Sequence, residues 1–151
     1  MVINLALGLP IILLCLVLQA AFTFWSVRYF IRKSRHAAPV AGDFVRLRAL
    51  LVVMIVLVLG NFLQIMIWGL LFRLLGEFDE LYEAVYHSAV NFSSLGYGDV
   101  VMSRRWKLLG PLEASSGVLM FSLSGAALMA MLQQMIRPEL DNAASREGRP
   151  R

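Results

Sequence analysis

The sequence predicts an all-α membrane protein with three transmembrane helices and one short helix that dips into the bilayer and returns. Three observations predict it. The 151-residue chain is 59% hydrophobic and only 16% charged, too apolar for a soluble domain that must cover its core with polar side chains. Three runs with almost no charge each reach the roughly 20 residues that a helical crossing needs. Between the second and third lies a segment too short and too polar to cross, and such backbone is tolerated at membrane depth only where protein buries it or it lines a water-filled path.

The first crossing falls in residues 1–30, where Met1 to Val27 carry no charge. A signal peptide would place its positive charge before the apolar run, whereas Arg28, Arg32, Lys33 and Arg35 follow it. Arg28, Arg32 and Arg35 stand four and three residues apart, but at the end of an uncharged helix they read as anchors, since a voltage sensor needs its charges inside the field. The single Cys15 reads as a small packing residue and excludes a disulfide framework.

Residues 31–46 read as a basic cytoplasmic loop, with Pro39 and Gly42 as its turn signals. The second crossing spans 47–75. Asn61 and Gln64 are its main polar interruptions and, three residues apart, share a face from which they are expected to bond across helices. A short amphipathic helix follows at 79–92, then a glycine-bearing segment at 93–99. The third crossing covers 107–137, ended by Arg137-Pro138 because an interior proline removes a backbone donor. Residues 138–151 are expected to be a disordered cytoplasmic tail.

Basic residues fix the expected topology. Arg28, Arg32, Lys33, Arg35, Arg46 and Arg48 face only Asp43 in the first loop, which places that loop in the cytoplasm, the N-terminus outside and the C-terminus inside. The net charge of +4 therefore reports topology, and no nucleic-acid partner is expected. Glu77, Asp79, Glu80, Glu83 and Asp99 make the outer segment acidic, which attracts cations.

The chemistry concentrates in Ser93-Ser94-Leu95-Gly96-Tyr97-Gly98-Asp99. A dehydrated cation needs its water shell replaced by oxygen dipoles, which extended chains of backbone carbonyls around an axis provide. Gly96 and Gly98 reach conformations closed to other residues, and the Ser94 hydroxyl adds an oxygen.

This string, set at the end of a short helix between two crossings, resembles the signature of potassium channel pores, whose common form is Thr-Val-Gly-Tyr-Gly-Asp. The likeness runs from about Arg48 to Ile136 and is to the two-helix pore of the small bacterial members. It implies a potassium channel pore architecture with a selectivity-filter loop, a homotetramer in the plasma membrane of a bacterium (its inner membrane), and K+ as permeant ion with no cofactor. Ion binding would fall to Ser94, Leu95, Gly96, Tyr97 and Gly98. Asp99, Tyr82, Tyr86 and Phe92 would support the filter. Serine stands where the family has threonine, Leu95 where it has valine or isoleucine, and Val100-Val101-Met102 where it often has a proline. The first crossing has no counterpart in that pore.

Glu113 and His87 are the candidate regulatory residues. Glu113 either bonds behind the filter or meets water or an arginine at the outer interface, and the second reading is the expectation. His87 is expected to pack like an aromatic residue, with pH sensing as the alternative. Gly117 and Gly125 stand as hinge or close-packing positions, and Ser122 and Ala126 as cavity lining. Two other readings remain beside passive potassium conduction: a weakly selective monovalent cation channel, and a non-conducting accessory or transporter subunit. No catalytic constellation is present, so no enzyme is expected; the partners are further copies of the chain, membrane lipid and K+.

Overall fold

The computed structural model describes the backbone of residues 1–35 and 42–147, and side chains at 1–34 and 44–137. It is helical throughout, with no strand among the described residues. The elements are α1 (Val2–Arg35), α2 (Gly42–Leu74), α3 (Leu81–Phe92) and α4 (Leu109–Glu147). Three segments are long and apolar enough to cross a membrane: Val2–Ser34, Phe44–Leu74 and Leu109–Arg137. At 34 residues α1 is about 50 Å long, so its basic end extends past a hydrocarbon core of about 30 Å.

Two apolar clusters hold the helices together. One gathers Cys15, Trp68, Phe72, Phe78, Phe92 and Trp106 around α3. The other joins Phe30 of α1, Val53 and Leu57 of α2, and Ala127 and Met131 of α4. Helix α1 packs against both α2 and α4, and small residues let it approach. A Cβ on Gly60 would stand 2.9 Å from the Phe22 ring, and one on Gly8 would stand 2.8 Å from Leu112.

Two boundaries differ from the sequence expectation. The tail expected to be disordered from residue 138 is instead helical, since α4 continues through Pro138 to Glu147. A proline removes one N–H and bends a helix, yet good helix formers on both sides carry it onward, as they do at Pro10 inside α1. The basic loop is also shorter than residues 31–46, because 31–35 and 42–46 lie in helices; Arg and Lys are helix formers, and residues 36–41 lie outside the described ones.

Candidate functional site

The site is built at the C-terminus of α3. Ser93 caps the helix, and Ser94 follows with φ 59°, the only non-glycine residue with positive φ among those described. The N–H of Ser94 donates to the Asn91 carbonyl at 2.8 Å and that of Leu95 to the Val90 carbonyl at 3.0 Å. This pair of bonds is a Schellman cap, with serine in the left-handed position usually held by glycine.

That cap also orients the segment beyond it. The N–H groups of Leu95 and Gly96 both turn toward the Val90 carbonyl, at 3.0 and 3.5 Å. No peptide among the described residues is cis, and across a planar trans peptide the preceding carbonyl points opposite to the N–H. The Ser94 and Leu95 carbonyls therefore both face away from α3. Positive φ recurs at Gly96 (61°) and Gly98 (74°), so its sign alternates from Ser94 to Gly98. A run of alternating φ sign gathers N–H groups on one side and carbonyls on the other where ψ alternates with it, whereas a strand alternates its carbonyls.

Behind this row the outer turn is tied down. Tyr86 donates its hydroxyl to Asp99 Oδ2 at 2.7 Å; the bond holds the Asp99 carboxyl below the usual carboxylate range and pushes the tyrosine up. His87 Nδ1–H donates to the Val100 carbonyl at 2.9 Å, leaving Nε2 to accept from Asn91 Nδ2 at 2.8 Å. Those two partners fix a neutral imidazole in one tautomer. Glu77 accepts from the Ser103 backbone at 2.6 Å and from its hydroxyl at 2.7 Å.

Residues 52–134 match the family model of an ion channel, which is more than half of the 151-residue chain. The chain belongs to this ion-channel family. No curated protein and no solved structure matches it. The match takes in most of α2, all of α3, the loop and most of α4, the unit for which the potassium channel pore resemblance was drawn. The protein is thus a channel rather than an enzyme, and α1 lies outside the matched pore unit.

Within this channel the inner helix meets the pore helix at Gly117. A Cβ there would sit 1.9 Å from the Phe92 carbonyl oxygen, so close packing alone demands glycine. At Gly125 nothing lies within 4 Å of an added Cβ. Ser122 and Ala126 are exposed on the single chain, and the Ser122 hydroxyl donates to its own helix at the Val118 carbonyl, 2.7 Å away.

Glu113 corrects the interface expectation. It is fully buried, and Ser88 Oγ lies 2.5 Å from its Oε1 and 2.8 Å from the Ile65 carbonyl. One serine hydroxyl thus reaches a backbone carbonyl and a carboxylate oxygen on two other helices. Ile65, Ser88 and Glu113 thereby join α2, α3 and α4. Phe92 and Tyr82 both lie on α3. Phe92 turns its ring to Phe121 at 5.5 Å, edge to face, because Gly117 brings α4 against the end of α3, and Tyr82 is 77% exposed. Tyr86 and Tyr97 line one groove, while His87 packs between Phe72 and Phe78 at 5.6 and 5.0 Å.

Sequence reasoning missed Gln19. It is fully buried in α1, accepts from Gln64 Nε2 at 2.8 Å and donates to Ser124 Oγ at 2.7 Å. The signal was present, since a glutamine in an otherwise apolar crossing requires a partner. Asn4 was missed likewise; its amide donates to the Arg105 carbonyl at 3.0 Å.

Proposed function

We propose that the protein is a passive potassium-selective channel, working as a homotetramer in the plasma membrane of a bacterium. The row of same-facing carbonyls at Ser94 and Leu95, continued by the alternation through Gly98, carries this reading. Oxygen dipoles from one chain cover one side of an ion, so a closed ring needs several copies around an axis; the family resemblance sets the number at four. An apolar groove of about 430 Å3 supports assembly, lined by Val58, Phe62, Leu95, Tyr97 and Phe121 among others, as does the exposure of Leu95 and Tyr97 at 58% and 66% on the single chain.

In the assembled pore, Ser94, Leu95, Gly96 and Tyr97 present carbonyls to K+, with the Ser94 hydroxyl at the inner end. Gly98 supplies the last left-handed turn, and Tyr86 steadies Asp99. The C-terminal dipole of α3 points its negative end toward the cation path. The basic end of α1 and the start of α2 face the cytoplasm, and the filter opens outward.

Potassium flux into liposomes containing the purified protein tests this, with sodium as competitor and Gly96→Asp beside wild type. Selective flux lost in Gly96→Asp is the expected result. Equal passage of sodium would instead favour a weakly selective cation channel, the reading that Ser94 and Leu95 support because both are looser than the family's residues. A folded tetramer that passes neither ion in any condition would favour a non-conducting accessory subunit.

A further inference from the structure

At one end of α1, Phe24, Arg28 and Arg32 form one i, i+4, i+8 row, and Trp25, Tyr29 and Lys33 form the row beside it. The two rows line a groove of about 710 Å3. Phe24 and Trp25 are 61% and 75% exposed, turned away from the face that packs through Ser26 and Phe30. Phe24 and Trp25 stand at the end of the uncharged run and Arg28, Tyr29, Arg32 and Lys33 follow it, where a helix of this length leaves the hydrocarbon and enters the headgroup layer.

The chemistry changes along the groove. Its first turn is aromatic and suits an acyl chain and glycerol backbone; its next two turns carry Arg28, Arg32 and Lys33, whose donors suit a phosphate. No acidic residue occurs anywhere on α1, so its own sequence offers Arg28 and Lys33 no carboxylate. A cationic pocket over an aromatic floor at headgroup depth is complementary to an anionic lipid.

We propose that this groove is a binding site for one anionic phospholipid, with the phosphate on Arg28 and Lys33 and the upper acyl chain against Phe24 and Trp25. It lies on the helix outside the matched pore unit and does not depend on which ion the pore conducts.

The tryptophans allow a direct test. The chain has three, and Trp68 and Trp106 are buried at 0% and 6% exposure, so contact quenching by lipid reports mainly Trp25. The protein is reconstituted in phosphatidylcholine with a small fraction of brominated phosphatidylglycerol or, separately, of brominated phosphatidylcholine. The expected result is a preference for the anionic lipid of about five-fold or more, lost in Arg28→Gln/Lys33→Gln. Arg48→Gln, which removes a charge from α2 at the same end, is expected to keep it. Equal quenching by the two brominated lipids in wild type would overturn the site. So would an equal loss in Arg48→Gln, which would leave only general surface charge. Abolition of the preference by inorganic phosphate would assign the groove to a free anion and overturn the lipid. Unchanged helicity of each variant shows that folding is not what is being read.

Discussion

Gln19 of α1 donates its amide proton to the Ser124 hydroxyl of α4 across 2.7 Å, while its carbonyl accepts from Gln64 of α2 at 2.8 Å. One side chain thus bonds the helix outside the matched pore unit to both helices of the pore. All three residues are buried at a depth where no water competes, and a polar group there is costly unless paired. Helix α1 is in this sense part of the pore's frame, bonded to the inner helix one residue from Gly125.

Gln19→Leu is expected to lower stability by about 1–2 kcal/mol, because it ends both bonds and leaves the Gln64 amide without its acceptor. Ser124→Ala ends only one, and is expected to cost about half as much. Thermal unfolding of the two single variants and the double variant checks this. Additive effects would show that the Gln19–Ser124 bond carries no coupling.

Gly117 and Gly125 are both glycines of α4, yet their substitutions are expected to part company. Gly117→Ala places a methyl group 1.9 Å from the Phe92 carbonyl oxygen, backbone against backbone with no flexible end to yield. It is expected to drive α4 from α3 at a cost of about 3 kcal/mol or more, with loss of flux. Gly125→Ala has open space on the single chain and is expected to leave the fold intact, gaining about 0.5–1 kcal/mol of helix propensity. Size-exclusion profiles and melting curves distinguish them; a well-folded Gly117→Ala would show that the approach is looser than described.

Much of this was readable in the chain. The three crossings were, because uncharged runs of that length have only one solvent, and so was left-handed backbone at Gly96 and Gly98, where glycine announces it. Ser94 was not readable, since serine gives no sign of positive φ and its conformation depends on α3 ending at Phe92. Glu113 was misplaced for a related reason: sequence gives its depth along α4 but not the direction of Ser88 on a helix 25 residues away. Gln19 and Ser124, 105 residues apart, meet only after three helices have packed.

Ser94 holds a conformation that costs a non-glycine residue about 1 kcal/mol or more. Ser94→Gly is expected to raise the melting temperature by the equivalent of about 1 kcal/mol while removing the hydroxyl. Ser94→Thr, the residue of the common pore signature, is expected to lower it, because a β-branched side chain tolerates positive φ worst. The order glycine, serine, threonine in melting temperature is the test. A threonine variant more stable than wild type would show that Ser94 is not left-handed in the assembled protein.

His87 supplies the pH dependence. Burial lowers its pKa from the ordinary 6.5, against the opposing pull of the Val100 carbonyl, Asp99 and Glu77. Its neutral form is also the bonded one, since Nε2 accepts from Asn91 and a proton there would confront an amide N–H. The charged groups that act on it are Asp99 and Glu77. A base whose folded pKa is depressed releases its proton on folding, so its contribution is complete above about 6.5 and declines as pH falls from there toward the folded value. Wild type is therefore expected to lose thermal stability on acidification through this window, before the carboxylates titrate. His87→Phe, which keeps a ring between Phe72 and Phe78 but forfeits both hydrogen bonds, is expected to start lower and lack that decline. Direct titration of the ring by NMR, assigned by its absence in His87→Phe, decides the matter: a midpoint at 6.5 would remove the pH dependence, and one above 6.5 would mean that acid stabilises this network instead.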